Sequence, residues 1–333
     1  MSSKQLSVVG IGNAIVDVLS HTDEVFLVQE QLTKGTMALI EADQASELYG
    51  KMGPGVEISG GSVANTIAAL ASLGSQAGFI GKVAQDQLGD VFQHDMKSMG
   101  VTYDTPRLED GPPTARCLIL VTPDGQRTMC TFLGASVWIA PTDIRPELIQ
   151  SAKIVYLEGY LFDRSRAKQA FRQAAEIGHE TGVQVALALS DVFCVERHRE
   201  EFHDLVVNHV DILFGNENEY KMLFEVDSFE DVVYAVQQNC ELAVLTRGAN
   251  GSVIVTPDKV IDIAAEPVGK VVDTTGAGDL YAAGFLHGYT NGRKLDVCGR
   301  MGAIAASEAL THMGARPQIS LAELLEEKIG HAA

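Results

Sequence analysis

A chain of 333 residues, 46% of them apolar, can bury a large core, and 44 acidic against 25 basic residues leave it a net charge of −19. That balance excludes an extended basic face for nucleic acid, and no stretch approaches the ~18 consecutive apolar residues of a membrane span. Five scattered cysteines (Cys117, Cys130, Cys194, Cys240, Cys298) with no C-x-x-C pair give neither a disulfide framework nor a zinc site. They fit a reducing compartment, and no basic segment leads into an apolar run near the start, so a cytoplasmic protein is expected.

Leu6–Ile11 reads as a strand, followed by Gly12-Asn13 and then Asp17. The dinucleotide fingerprint G-x-G-x-x-G fails here, because its third glycine would fall at Ile15. Asn13 and Asp17 are instead expected at the carboxyl edge of an open α/β sheet, where ligands bind and both side chains could bond hydroxyls. A turn with a solvated acid would explain them equally well. Gly60-Gly61 precedes a helix over Ser62–Leu73, with Ser62 as N-cap, Asn65 in the first turns, and glycines that permit close approach of a ligand. As a nucleophile elbow this segment is degraded: Ala64 takes the last glycine's place and no strand leads into it.

Gln76–Ile80 would join the first strand. Arg116–Thr122 and Gln126–Leu133, linked by Pro123-Asp124-Gly125, read as a hairpin. Gly35–Ile40 could pair with it, making a small sheet that projects from the body as a lid. From Lys153 onward, candidate strands Ile154–Leu157, Val183–Leu189, Val210–Phe214 and Leu242–Thr246 alternate with helical Arg164–Thr181, Arg197–Val207 and Asn218–Asn239. Short apolar strands separated by helices indicate a parallel sheet covered on both faces. A second hairpin joins Ser252–Thr256 to Val260–Ala264.

Asn216-Glu217-Asn218-Glu219 follows one strand end. Such groups can hold Mg²⁺ directly or through its waters, and an N-cap with first-turn acids is a sufficient alternative. Thr246-Arg247-Gly248-Ala249-Asn250-Gly251 could cover nucleotide phosphates, or its glycines could simply serve the turn. No G-x-x-x-x-G-K-[ST] occurs, which excludes a P-loop.

The most informative stretch is Asp273-Thr274-Thr275-Gly276-Ala277-Gly278-Asp279. Gly269–Val272 before it reads as a short strand, and Leu280–Leu286 after it as a buried helix. A small-residue turn at a helix start leaves N–H groups unpaired, and the helix dipole adds positive charge, so the turn can cradle an anion. Asp279 beside such a cradle points to phosphoryl transfer.

Together, Gly60-Gly61 with Asn65, the Asn216–Glu219 pair, and D-T-T-G-A-G-D resemble the ribokinase-like (PfkB) family of sugar and nucleoside kinases, over nearly the whole chain. The resemblance implies a three-layer α/β/α unit spanning residues 1–333, with a mostly parallel central sheet and a β-lid from segments near 13–55 and 107–137. It implies ATP and Mg²⁺ as cofactors and a small sugar or nucleoside as acceptor. Asp279 would be the base, and Gly276, Ala277 and Gly278 would line the anion hole, with Arg127 reaching the transferring group from the lid. Asn13, Asp17, Gly61 and Asn65 would grip the acceptor. Asn216, Thr246, Gly248 and Gly251 would lie along the nucleotide, with Asn216 and Glu219 arranging Mg²⁺ through water. A K⁺ ion near the backbone of Asp273 and Thr275 is a further expectation, as is a monomer or a homodimer formed through the lid.

The pattern Gly12-Asn13-Ala14-Ile15-Val16-Asp17 is similar to that of adenosine kinases, and Met37, Leu39, Phe132, Leu133, Tyr160 and Leu161 could offer an apolar slot for a base. Fructokinases and ketodeoxygluconate kinases share the catalytic segment. A non-catalytic binding protein could have lost Asp279 or the cradle glycines, and this chain keeps both. A dehydrogenase would need the glycine fingerprint that fails at Ile15.

Overall fold

Strand residues alternate between two apolar layers, and that alternation builds the body of the molecule. The computed structural model describes residues 5–330. Its strands are β1 (Leu6–Ile11), β2 (Ile15–His21), β3 (Met37–Leu39), β4 (Gly55–Gly60), β5 (Ala77–Ile80), β6 (Ala115–Val121), β7 (Arg127–Phe132), β8 (Ala152–Glu158), β9 (Gln184–Ala188), β10 (Ile212–Asn216), β11 (Leu242–Thr246), β12 (Ser252–Thr256) and β13 (Lys259–Ile263). Eight of them form one sheet in the order β13-β12-β11-β10-β9-β8-β1-β5. From β5 to β11 the pairs are parallel; β12 and β13 close the far edge antiparallel.

On one face Ile154, Tyr156, Ile212, Phe214 and Val244 meet the helices Ser62–Ser72, Ala277–Thr290 and Leu295–Ala309. On the other, Val155, Leu157, Leu213, Ala243 and Leu245 meet Ser165–Glu180, Arg199–His209, Glu217–Phe224 and Phe229–Asn239. A sheet covered on both faces must be apolar on both, as its strands are. The two helices Ala277–Thr290 and Leu295–Ala309 touch closely because Gly284 lacks a side chain. A Cβ there would stand 2.5 Å from the Met301 carbonyl oxygen.

The remaining strands form a second sheet, β3-β7-β6-β2-β4. Its outer face (Val16, Val18, Leu118, Cys130) is buried with Leu48, Phe92 and Met96 from the helices Ala42–Lys51 and Gln87–Ser98. Its inner face carries Ile15, Leu19, Cys117, Ile119 and Met129. The chain passes between the sheets between β1 and β2, from β4 into the Ser62–Ser72 helix, before β6 and after β7. Two of these passages are closed by glycine against main chain. A Cβ on Gly61 (φ 103°) would lie 2.1 Å from the Asn13 carbonyl oxygen, and one on Gly134 (φ 41°) 2.2 Å from that of Pro113.

Five expectations are corrected. Asp17 does not sit at the edge of the large sheet: β2 belongs to the small one, where Asp17 pairs with Ile58 and Cys117. A strand, β4, does lead into the Ser62–Ser72 helix, and the N-cap is Gly61, which leaves the Ser62 hydroxyl free for another partner. Gly269–Val272 is not a strand and joins neither sheet. This segment returns across the sheet end as a loop, tied by the Val272 N–H to the Leu310 carbonyl (2.8 Å). Asn218–Asn239 divides at Glu225 (φ 55°) into two helices. All five cysteines are buried free thiols. Among the described residues no helix is long and apolar enough to cross a membrane.

Candidate active site

Because six neighbouring strands run parallel, their carboxyl ends and the loops after them open onto one edge of the large sheet. Asn13 follows β1, Tyr160 follows β8, Ser190 and Phe193 follow β9, Glu219 follows β10, and Thr246 ends β11. The inner face of the small sheet overhangs this edge, enclosing a cleft of about 720 Å³, within the range of small-molecule sites.

At the floor, Gly276 (φ 77°) turns the chain into the Ala277–Thr290 helix. It must be glycine both for that φ and because a Cβ would meet Ala315 at 2.5 Å. The N–H groups of Gly278 and Asp279, second and third in the helix, have no intrahelical acceptor and make an anion-binding concavity. Gly276, Gly278 and Asp279 line the cleft; Ala277 turns away from it.

The Asp279 carboxylate accepts from Ser62 Oγ (2.7 Å) and Asn65 Nδ2 (3.0 Å). Burial raises its pKa to about 6, although these two bonds and the Arg316 charge pull the other way. Asp17 faces it from β2. Burial lifts this pKa to about 6 as well, against the attraction of Arg316 and Arg127.

Arg127 projects from β7 beside the cradle, with Nη1 at 2.7 Å from Asp273 Oδ2 and 3.3 Å from Thr275 Oγ1. Its Nε and Nη2 are buried without a hydrogen-bond partner. Arg127 does not itself line the cleft, but two idle guanidinium nitrogens behind the cradle are what an anionic ligand would satisfy. Asp273 also accepts from Thr275 N (3.1 Å), Thr275 Oγ1 (2.8 Å) and Gly314 N (3.0 Å). Burial disfavours its charged form, but these donors and Arg127 outweigh that and lower its pKa.

Asn216 caps the Glu217–Phe224 helix. Its Oδ1 accepts from Asn218 N (2.9 Å) and Glu219 N (3.1 Å), and its N and Nδ2 donate to Glu219 Oε2 and Oε1 (2.8 and 2.5 Å). The capping alternative is therefore realised, and the pair still lines the cleft. Burial raises Glu219 to about pKa 7. Thr246 lines the cleft, whereas Gly248 and Gly251 form the turn behind it, and a Cβ on Gly251 would strike the Ile263 carbonyl at 2.1 Å.

Asn13 reaches the cleft, but its side chain is committed to Glu158 Oε1 (2.6 Å) and Ser136 Oγ (2.7 Å). Glu158 also accepts from the Val63 N–H (2.9 Å) and is raised to about pKa 7 by burial. Of the expected slot, Met37, Leu39, Leu133 and Tyr160 line the cleft, while Phe132 and Leu161 are buried elsewhere. Phe193, 69% exposed, completes that wall. Ser190 stands beside it in the left-handed region (φ 75°) and holds Tyr160 through Oγ and its carbonyl (both 3.2 Å). Sequence reasoning missed Ser62, Glu158, Phe193 and Arg316. Only Ser62, next to the glycine pair, left a local signal.

A helix-start anion cradle facing a carboxylate, under an overhanging sheet, is the site of a phosphotransferase with a hydroxyl acceptor. The chain belongs to the pfkB family of carbohydrate kinases, whose family profile matches residues 36–321. It resembles the crystal structure of adenosine kinase from Sinorhizobium meliloti at 46% identity, covering 97% of this chain and 99% of that one with a TM-score of 0.89. It resembles a probable sugar kinase from Rhizobium etli CFN 42 at 45% identity, covering 98% and 99% with a TM-score of 0.90. A 5-dehydro-2-deoxygluconokinase of Geobacillus thermodenitrificans is 28% identical over 285 residues, 82% of this chain and 84% of the relative. The protein is thus a sugar or nucleoside kinase, and kinases of this family use ATP and Mg²⁺.

Proposed function

We propose that this protein transfers the γ-phosphoryl group of ATP to the primary hydroxyl of adenosine, giving AMP and ADP. The observation that carries the choice of acceptor is the apolar wall of Met37, Leu39, Leu133, Tyr160 and Phe193, which offers flat and aliphatic surface to a purine. Beside it Asp17 and Asn65 hold the ribose hydroxyls, with Gly61 allowing close approach. The likeness to the Sinorhizobium meliloti enzyme agrees.

Asp279, in its ionised form, takes the proton of the acceptor hydroxyl as that oxygen forms its bond to the γ-phosphorus and the bridging oxygen departs with ADP. Ser62 and Asn65 aim the carboxylate. The Gly278 and Asp279 N–H groups, with the idle nitrogens of Arg127, hold the charge on the moving phosphoryl oxygens. In a loose transition state such positioning and neutralisation count for more than base strength. The small sheet acts as the lid that keeps water from competing for the phosphoryl group.

Each oxygen of the Asn216-bound Glu219 carboxylate keeps a lone pair, so Glu219, held in place by Asn216, fits a hydrated Mg²⁺ bound through its waters. When bound, that ion neutralises phosphate charge. A K⁺ ion nearby would depend on the main-chain carbonyls of Asp273 and Thr275, because the Asp273 carboxylate is already met by four donors.

A second reading, a sugar acceptor, is supported by the relatives named 5-dehydro-2-deoxygluconokinase and probable sugar kinase, and fructose and ribose are further sugars to test. ADP release measured side by side with adenosine and these sugars decides. Adenosine should give the highest kcat/KM; a sugar exceeding it by tenfold would overturn the adenosine reading.

A further inference from the structure

Arg316 stands in the loop after the Leu295–Ala309 helix, and that loop touches both halves of the site. Gly314 N–H donates to Asp273 (3.0 Å), and Ala315 lies directly behind Gly276. Two residues past Gly314 the chain reaches the other way. Arg316 Nε and Nη2 donate to the Ser59 carbonyl (2.9 and 2.8 Å), Nη2 also to Ser59 Oγ (3.0 Å), and Nη1 to the Ala64 carbonyl (3.0 Å). Ser59 and Ala64 bracket the stretch that presents Gly61 and Ser62, and Asn65 follows at once.

None of these bonds goes to a carboxylate, although a guanidinium is well matched to one. The fork is spent on main-chain and hydroxyl oxygens, while its charge acts on Asp17, Asp95 and Asp279 without contact.

We propose that Arg316 is a positioning residue for phosphoryl transfer: it fastens the acceptor-gripping start of the Ser62–Ser72 helix to the loop behind the anion cradle, and lends positive charge to the pocket shared by Asp17 and Asp279. The inference rests on Asp279 being the base. The charges around that pocket come from several elements: Asp17 from β2, Arg127 from β7, Glu158 from β8, Asp95 from the Gln87–Ser98 helix, and Arg316 itself. Tyr156 and Tyr160 also face it. Arg316 opposes the burial that raises both Asp17 and Asp279. Burial lowers its own pKa to about 10, which leaves it charged at neutral pH.

The test is the pH profile of kcat/KM, and KM for acceptor and for ATP, in Arg316→Met and Arg316→Lys, with melting temperatures measured alongside. In Arg316→Met the acid limb should move up by about one pH unit, and KM for the acceptor should rise about tenfold through lost alignment. Arg316→Lys should keep the wild-type limb and still raise the acceptor KM by about tenfold, because it retains the charge without the fork. KM for ATP should hold in both. A methionine variant altered only in melting temperature would overturn the proposal. Should that variant fail to fold, the lysine variant decides alone, and a wild-type acceptor KM in it overturns the proposal. If Asp279→Asn keeps its turnover, the base assignment fails first. If it loses turnover while both Arg316 variants behave as wild type, this inference alone fails.

Discussion

The two ends of the cleft are built from different materials. The cradle end is one continuous heptapeptide acting mainly through backbone N–H groups, whose geometry follows from a helix start and a glycine at φ 77°. The acceptor end is a surface of side chains gathered from the loops after β1, β8 and β9 and from the small sheet. The fold constrains the first tightly, since Gly276 has no room for another atom. It constrains the second loosely, since an exposed Phe193 or Leu39 supports little else. On the proposed reading, reaction chemistry and acceptor choice therefore reside in separable parts of one pocket.

The sharpest way to break that division is Asp279→Asn. It should lower kcat by about 10³-fold, with ATP binding by calorimetry and the circular dichroism spectrum unchanged. Turnover near wild type would remove the chemistry from the cradle end. Next, Arg127→Ala should lower kcat by about 10²-fold, the scale of losing one preorganised donor, with little change in acceptor KM. A pure KM effect would move Arg127 to the acceptor side.

The pH profile sharpens the same point. Asp279, raised to about pKa 6, must be ionised to act as the proposed base, so kcat/KM should be flat above neutrality and fall roughly tenfold per unit below about pH 6. At the acceptor end, Phe193→Ala should raise KM for adenosine about tenfold, within the ~1–3 kcal/mol of base–aromatic stacking, leaving kcat alone. An unchanged KM would take the base off that wall.

The smallest effect is on stability. Asp17 and Asp279 (about 6) and Glu158 and Glu219 (about 7) titrate above their unfolded values. The native state thus holds protons that the unfolded chain releases. Their contribution is greatest at low pH and is lost as pH rises through about 6 to 7. Melting temperature should increase modestly from about pH 8 to about pH 5.5 while activity falls, and calorimetry would show whether the two trends oppose each other.

That contrast also governs what could be read from residues alone. D-T-T-G-A-G-D was legible because a backbone device demands glycines at fixed places. The alternating strands from Lys153 onward were legible because burial on both faces demands apolar runs. Glu158, Phe193 and Arg316 were not, because their partners are remote: Arg316 meets Ser59 across 257 positions, and Ser62 meets Asp279 across 217. The residues alone put Asp17 at the edge of the large sheet because nothing local says which sheet β2 will join, whereas the lid segment 13–55 implied by the family resemblance contains it. Val271-Val272 has the β-branched character of a strand, but its Val272 N–H is taken by the Leu310 carbonyl and not by a strand.

One detail of the junction between the sheets has a mechanical consequence. At Gly61 and Gly134 main chain meets main chain with no room for a Cβ, so any larger residue at either place would wedge the overhanging sheet away from the body.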